Sequence, residues 1–255
     1  MVEKFFFKNF KNDLLRDNHK KKIKKILNKI LKENDPIIQS LSKNYKNSYT
    51  KNQLNKYKKA FNFRVIGMGG STLGTKSIYD FLKHKVKKNF LFFDNLKKRQ
   101  KKEIKKNFTN LIVSKSGNTI ETIINSNILI KKKDKNIFIT ENKKSYLHSF
   151  AHKLKAEIVH HNNFIGGRYS VLSEVGMLPS ELMGLNVNNF KQLNNLIKNR
   201  FFYDNLIKNV GSIYSLIRKK KFNSVIINYD EKSDSLFNWY QQLVAESLGK
   251  KNKGL

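Results

Sequence analysis

The chain has 255 residues and a formal net charge of +33, and it contains no cysteine. The absence of cysteine excludes disulfides, thiolate catalysis and cysteine-ligated zinc, and the apolar runs of the sequence are far shorter than the roughly 20 residues that span a bilayer. Lysine outnumbers arginine 46 to 6 and is spread along the whole chain, so the charge alone does not indicate a nucleic-acid-binding surface. We therefore expect a cytoplasmic protein that binds neither membranes nor nucleic acid.

Residues 1–59 are predicted to form a lysine-rich helical segment. Its apolar residues recur at the spacing of one helix face, and they are Ile23, Ile26, Leu27, Ile30 and Leu31. The helix is predicted to end at residues 34–36 (NDP), because the residue before a proline disfavours the helical conformation. The lysines between the apolar positions are expected to form a solvated face.

Residues 60–161 alternate short β-rich runs with segments of helical periodicity. This alternation predicts right-handed βαβ crossovers and a doubly wound parallel sheet in an α/β fold. The predicted strands are 63–66, 90–93, 111–113, 137–139 and 157–159. Ligands of such folds bind outside the carboxyl ends of the strands, and here those ends are rich in glycine, serine and threonine.

Residues 162–255 carry further helical patterns and one more predicted strand. The helical patterns cover 171–183, 189–200, 204–218 and 234–248, and the strand is predicted at 225–227 (VII). A parallel strand needs neighbours that satisfy its backbone groups. We therefore expect an incomplete second α/β unit, and a chain that is a fragment or one half of a split enzyme.

The loop after the first predicted strand, residues 67–74 (GMGGSTLG), is rich in glycine. Glycines allow backbone N–H groups to approach an anion at a helix N-terminus. The loop does not fit a dinucleotide fingerprint, because Thr72 stands where the third glycine belongs, and it does not fit a Walker loop, because Thr75 replaces the required lysine. Phosphate binding and a tight turn packed against the sheet both remain open for this loop.

The loop after the third predicted strand, residues 114–122 (SKSGNTIET), supplies hydroxyls, free amides and one ammonium group. These are the groups that hold a phosphate dianion. The same residues also fit a capped helix, with Asn118 or Thr119 as the N-cap. Two hydroxyl-rich loops at adjacent strand ends indicate a phosphate site more strongly than either loop does alone.

Two later motifs carry charged groups suited to catalysis. Arg168 lies in a Gly-Gly turn, and an arginine near a reacting centre can stabilise oxyanion charge, although a surface ion pair is the plainer interpretation. Gln242 and Glu246 lie four residues apart on the predicted helix 234–248, so they share a face beside its apolar stripe. A carboxylate in that position can serve as a general base, whereas most such glutamates are solvated.

His148 and His152 show a helical spacing but no HExxH pattern, so no metal site is predicted.

Four motifs, in order along the chain, resemble the glucose-6-phosphate isomerase family. They are 65–74, 114–122, 165–173 with 176–179, and 242–250. The last two are specific to that family, whereas the Ser-Lys-Ser loop is shared by sugar isomerase (SIS) domains that bind phosphosugars. The resemblance implies a three-layer αβα fold of the SIS type for residues 60–161, and residues 162–255 would begin a second, incomplete SIS-type domain.

The resemblance also implies an aldose-ketose isomerase that interconverts glucose 6-phosphate and fructose 6-phosphate through a cis-enediol. Glu246 would move the proton between C1 and C2, and Arg168 would stabilise the enediolate. The residues implied to bind the substrate are Gly70, Ser71, Ser114, Lys115, Ser116, Thr119, Thr122 and Gln242. No cofactor or metal is implied, and the full-length enzyme is expected to be a homodimer.

One alternative is a non-catalytic SIS module that only binds phosphosugars. Such a module needs the serine loops but neither Glu246 nor Arg168, so the presence of both favours the enzyme. The family also uses a histidine and a lysine for ring opening, in motifs downstream of the Glu246 helix. This sequence contains neither motif, which leaves open whether the chain is active by itself.

Overall fold

The computed structural model of the chain describes residues 17–96 and 107–249. The first 16 residues of the predicted N-terminal segment and Lys250 of the last motif lie outside the described residues. The strands are β1 (Asn62–Gly67), β2 (Asn89–Phe93), β3 (Thr109–Val113), β4 (Lys135–Thr140) and β5 (Glu157–His160). The helices are α1 (Asp17–Lys32), α2 (Pro36–Ser40), α3 (Lys51–Asn55), α4 (Leu73–Phe81), α5 (Ile120–Leu129), α6 (Tyr146–Lys153), α7 (Glu174–Leu182), α8 (Leu193–Lys198), α9 (Arg200–Arg218) and α10 (Asp234–Leu248).

The five strands form one parallel sheet in the order β2-β1-β3-β4-β5. All five strands that the sequence predicts for residues 60–161 are therefore confirmed. The chain adds β2 on one side of β1 and then β3 on the other side. The gap between the carboxyl ends of β1 and β3 is thus the topological switch point, which is where ligands bind in open parallel sheets.

Helices cover both faces of the sheet, so the predicted three-layer αβα fold is confirmed. One face packs against α5 and α6, through Ile66, Ile112, Phe138, Leu129 and Leu147. The opposite face packs against α3, α4 and α7, and its largest apolar members include Phe63, Leu111, Ile137, Tyr79, Leu178 and Leu54. Parallel strands covered on both faces need apolar side chains in both directions, and β3 is buried at every position.

Helix α7 belongs to the same apolar core as β1, although it lies beyond the predicted boundary at residue 161. Val175, Met177 and Leu178 are buried with Phe63 and Val65. The division of the chain at residues 59 and 161 stays a prediction.

The N-terminal helix is confirmed as α1, and it ends at Lys32, just before the predicted stop. It packs against α9, where the Tyr203 hydroxyl donates to Asn28 Oδ1 over 3.2 Å. Asp35 then caps α2 by accepting from the backbone N–H of Ile37 at 2.7 Å. No described helix has both the length and the apolar character needed to cross a membrane.

The strand predicted at residues 225–227 is wrong. This segment lies between α9 and α10 without regular secondary structure, and Val225 and Ile227 are 83% and 73% exposed. β-Branched composition favours an extended backbone, but a strand also needs a neighbour for its N–H and C=O groups. Among the described residues no strand lies beside this segment.

The helix predicted at residues 189–200 is present in shorter form as α8, and α9 begins four residues before its predicted start.

Candidate active site

The two predicted anion-binding loops leave adjacent strands at the switch point. Gly67 at the end of β1 pairs with Val113 at the end of β3, and a Cβ on Gly67 would lie 2.8 Å from the Val113 carbonyl oxygen. The chain then turns through a short 3-10 helix, Gly69–Ser71, in which Gly69 has a φ of +52°. Only glycine adopts this conformation without strain. The loop therefore turns tightly beside the end of β3.

The Ser-Lys-Ser loop is ordered by hydrogen bonds among its own residues. The Ser114 and Thr119 hydroxyls lie 2.9 Å apart, and Ser114 Oγ also accepts from the backbone N–H of Gly117 at 3.2 Å. Ser116 is exposed, and its hydroxyl accepts from the N–H of Asn118 at 3.2 Å. Thr119 occupies the N-cap position of α5, one of the two positions predicted, but its side chain makes no capping hydrogen bond. Three hydroxyls thus cluster where the N-terminus of α5 favours an anion.

Thr122, in the first turn of α5, is buried at 1% exposure. Within the part of the chain that the structure describes, its Oγ1 has no hydrogen-bond partner. A buried hydroxyl without a partner carries a desolvation cost. Thr122 is therefore a predicted substrate-binding residue whose buried hydroxyl lacks a bond among the described residues.

Lys115 points toward the neighbouring strand ends and not into its own loop. Its Nζ donates to the Asn163 carbonyl oxygen at 2.7 Å and lies 3.7 Å from Glu141 Oε1. Glu141 also pairs with Lys143. Burial opposes ionisation of Glu141, but the hydrogen bond and charge of Lys143 and the charge of Lys115 outweigh it, so the pKa of Glu141 falls below its ordinary value. Lys115 ties the loop to the ends of β4 and β5, and its predicted contact with phosphate stays a prediction.

Arg168 follows a glycine pair that lies against the glycine loop. A Cβ on Gly70 would stand 2.4 Å from the carbonyl carbon of Gly167 and 2.6 Å from the backbone nitrogen of Arg168. Arg168 belongs to the 3-10 helix Gly167–Leu172, and its carbonyl oxygen accepts from Trp239 Nε1 at 3.0 Å. The loop that carries Arg168 is therefore held between residues 69–71 and α10.

Glu246 on α10 receives a hydrogen bond on each of its carboxylate oxygens. Gln242 Nε2 donates to Oε1 over 2.8 Å, and Arg168 Nη1 donates to Oε2 over 3.3 Å. The Gln242 amide also packs on the glycine loop, since a Cβ on Gly69 would lie 2.7 Å from its Nε2. The Glu246 side chain keeps 47% exposure and Arg168 keeps 26%. The structure thus brings Gln242, Glu246 and Arg168 together beside Gly69 and Gly70.

The position of α10 is set by polar contacts with α4 that the sequence patterns did not predict. The Ser77 hydroxyl donates to the Ser235 carbonyl oxygen over 2.6 Å, and the Ser235 hydroxyl donates to Asp80 Oδ2. Ser77 and Ser235 are buried, so each bond is sheltered from water. These contacts fix the start of the helix that carries Glu246.

Three further residues surround Arg168 and were not assigned from the sequence. Ser247 and Tyr169 contact each other and the guanidinium, and Trp239 holds the Arg168 backbone. Ser247 adjoins Glu246 and Tyr169 adjoins Arg168, so adjacency in the two motifs was the signal that could have found Ser247 and Tyr169.

The histidines show no arrangement suited to a metal. His148 and His152 pack edge to face on α6, with 4.7 Å between ring centroids. The described residues contain no cluster of three or more histidine or acidic side chains that could hold a metal.

A parallel sheet covered on both faces, with a glycine loop and a hydroxyl-rich loop at its switch point, defines an α/β protein of the SIS type. Residues 15–253 match the model of the family described as phosphoglucose isomerase. This chain belongs to the phosphoglucose isomerase family.

Individual relatives agree with this assignment. The chain is 33% identical over 223 residues to the glucose-6-phosphate isomerase of Methanocaldococcus jannaschii, a match that covers 79% of this chain and 55% of the relative. It is 31% identical over 269 residues to the glucose-6-phosphate isomerase of Mycoplasma mycoides subsp. mycoides SC, covering 90% of this chain and 63% of the relative. The chain therefore spans a little over half the length of these relatives.

A solved structure of a hypothetical protein from Thermus thermophilus has the same fold. It aligns with a TM-score of 0.73 over 94% of this chain and 63% of that chain, at 21% sequence identity. This likeness supports the architecture alone.

Proposed function

We propose that this protein is an aldose-ketose isomerase that interconverts glucose 6-phosphate and fructose 6-phosphate. The observation that carries the proposal is the contact between Arg168 Nη1 and Glu246 Oε2 at 3.3 Å, beside a loop suited to an anion. A purely phosphosugar-binding module needs the loop but has no use for a base paired with a cation. Membership of the phosphoglucose isomerase family supports the same reaction.

The phosphate of the substrate is assigned to the loop between β3 and α5. Ser114, Ser116 and Thr119 present hydroxyls there, and the first turn of α5 presents free backbone N–H groups. Ser71 lies on the neighbouring glycine loop, within the same switch point. Phosphate binding at this end of the sheet leaves the sugar carbons to face Glu246 and Arg168.

Glu246 is assigned the proton transfer. Its carboxylate removes the proton from C2 of the open-chain aldose, and the electron pair moves onto the C1 carbonyl oxygen to form a cis-enediolate. The carboxyl then returns the proton to C1, while a proton moves from O2 to O1, which gives the ketose. Arg168 supplies a cation as the oxyanion develops, and such stabilisation acts where charge appears in the transition state.

Exchange of the C1 proton of fructose 6-phosphate with D2O tests this assignment by proton NMR. Because the sugar ring also opens spontaneously in water, exchange reports proton transfer without catalysed ring opening. The wild-type chain is expected to accelerate exchange, and Glu246→Gln is expected to reduce the rate about 10²- to 10⁴-fold, the range of general-base catalysis. The matched control is Glu231→Gln, at an exposed carboxylate before α10, which should exchange at the wild-type rate.

Two other results would contradict the proposal. Equal exchange in the wild type and in Glu246→Gln removes Glu246 from the reaction. Tight binding of fructose 6-phosphate by a wild type that catalyses no exchange favours the non-catalytic phosphosugar-binding module. The homodimer and the cytoplasmic location expected of the full-length protein stay predictions.

A further inference from the structure

Ser247 lies next to Glu246 on α10, and its hydroxyl contacts two residues of the arginine loop. Arg168 Nε donates to Ser247 Oγ over 3.0 Å, and the hydroxyls of Tyr169 and Ser247 lie 2.7 Å apart. We propose that Ser247 is a positioning residue that holds the Arg168 guanidinium in place throughout the proposed isomerisation. This inference rests on the proposed function, in which Arg168 meets the enediolate.

The guanidinium is held on three sides. Its Nε edge faces Ser247, its Nη1 donates to Glu246 Oε2 at 3.3 Å, and its central carbon lies 4.6 Å from the centre of the Tyr169 ring. The remaining nitrogen, Nη2, has no hydrogen-bond partner among the described residues. A planar guanidinium that is held through Nε and Nη1 can present Nη2 to a substrate oxygen.

The two hydrogen-bond acceptors of Arg168 differ in how they respond to the reaction. The contact with Glu246 is an ion pair only while that carboxyl is ionised. In the proposed mechanism Glu246 is neutral after it has taken the substrate proton, which is the stage at which the enediolate needs Arg168. Protonation removes the Coulomb attraction between the carboxylate and the guanidinium, so Glu246 then holds the guanidinium less firmly.

Ser247 is the acceptor that does not change its charge during the reaction. Its hydroxyl can accept from Arg168 Nε in every protonation state of Glu246. The neighbouring Tyr169 hydroxyl fixes the orientation of Ser247 Oγ, and the Tyr169 ring limits movement of the guanidinium out of its plane. Ser247 therefore keeps Arg168 aligned at the stage when Glu246 is neutral and holds it less firmly.

Solvent exchange of the arginine Nε–H group, followed by NMR, tests this role without substrate. The chain has six arginines, so the Arg168 signal is assigned by its loss in Arg168→Lys. Protection from exchange is expected in the wild type and also in Glu246→Gln, which imitates the neutral carboxyl. Ser247→Ala should exchange about tenfold faster or more, since one hydrogen bond is lost, and Ser247→Thr should restore protection because it keeps the hydroxyl. Ser224→Ala, at an exposed serine, is the matched control.

Kinetics of C1-proton exchange on fructose 6-phosphate supply the second measurement. Ser247→Ala should lower the rate at saturating substrate and leave the half-saturating concentration nearly unchanged, because only the orientation of Arg168 is lost. If the wild type catalyses no exchange, the proposed function fails, and the Nε–H measurement still decides whether Ser247 holds Arg168. Wild-type protection in Ser247→Ala overturns the proposal. Loss of protection in Glu246→Gln also overturns it, because the carboxylate would then be the group that holds the arginine.

Discussion

The α-carbon of Gly70 lies directly against the peptide group that joins Gly167 to Arg168. A Cβ at residue 70 would stand 2.4 Å from the Gly167 carbonyl carbon, a separation that real Cβ atoms do not show. A Cβ at residue 167 has room, because its nearest atom would be the Gly70 α-carbon at 3.9 Å. Gly70 therefore has no room for a side chain, whereas Gly167 has, although both glycines belong to the same contact.

Gly70→Ala is expected to lower the free energy of unfolding by about 1–3 kcal/mol, the usual cost of overpacking, because backbone must move to make room. Gly167→Ala should leave stability unchanged within about 0.5 kcal/mol. Urea unfolding of the two variants under the same conditions measures the difference. Equal stability of both variants would show that the close backbone contact is not present in solution.

The hydroxyls of the loop between β3 and α5 are expected to bind the substrate phosphate. Ser114→Ala and Ser116→Ala should each weaken fructose 6-phosphate binding by roughly 1.5–3 kcal/mol, since each removes a hydrogen bond to a charged group. This corresponds to roughly a 10- to 150-fold rise in Kd, measurable by calorimetry. Unphosphorylated fructose should give negligible heat with every variant, and Ser149→Ala, at an exposed serine of α6, should bind like the wild type. Equal heats for both sugars would count against this phosphate site.

Thr122→Val separates a ligand-binding role from a structural one. The Thr122 hydroxyl is buried without a partner among the described residues, so its replacement by a methyl group of similar shape should leave the free energy of unfolding equal or up to about 1 kcal/mol higher. If the hydroxyl bonds the substrate, the same variant should bind fructose 6-phosphate more weakly. Thermal unfolding and calorimetry on one sample give both values. Unchanged affinity would remove Thr122 from the substrate-binding set.

The sheet could be predicted from the sequence because its signal is local. Each of the five strands is a short β-rich run, and the topology then places the loops that follow β1 and β3 side by side. The segment 225–227 has the same composition as a strand, but pairing depends on a distant neighbour that no local pattern reveals. It is exposed in this structure.

Contacts in the site were harder to predict when they join residues that lie far apart in the sequence. Gln242 and Glu246 share a helix, so their contact follows from a spacing of four residues. The bond from Arg168 to Ser247 joins positions 79 apart, and the bond from Lys115 to Asn163 joins positions 48 apart. Lys115 was assigned to phosphate because of the loop it occupies, whereas its side-chain direction is set by Glu141 and Asn163.

Lys191 is a buried cation in a mostly carbonyl environment. The residue is 3% exposed, and Nζ donates to the carbonyl oxygens of Leu172 at 2.9 Å and Ser40 at 3.3 Å. The ammonium also lies 4.2 Å from the centre of the Tyr45 ring. Burial lowers the pKa of Lys191 from 10.5 to about 8, although the charge of Glu174 opposes the shift.

A lowered lysine pKa gives stability that increases with pH. Between pH 8 and pH 10.5 the unfolded chain binds a proton at Lys191 that the folded protein does not, so the free energy of unfolding rises across this window. Relative to Lys191→Met, the wild type should gain up to about 3 kcal/mol across it. Urea unfolding at both pH values measures the gain, and Lys198→Met, at an exposed lysine, should behave like the wild type. A difference between wild type and Lys191→Met that is constant with pH would contradict the lowered pKa.

Arg168→Lys tests whether the planar fork, and not only the positive charge, is needed. Lysine keeps the cation near Glu246, but a single ammonium cannot hold Ser247 and Glu246 in fixed directions and still offer a donor to the enediolate. Loss of one such donor costs about 10²- to 10³-fold in other enzymes, and a similar fall is expected in the rate of C1-proton exchange on fructose 6-phosphate. Arg200→Lys is the matched control, because the Arg200 side chain is 96% exposed and lies 3.9 Å from Asp204 in a surface pair. Exchange by Arg168→Lys at the rate of Arg200→Lys would show that charge alone is sufficient, and the assignment of Arg168 as a directed donor would be lost.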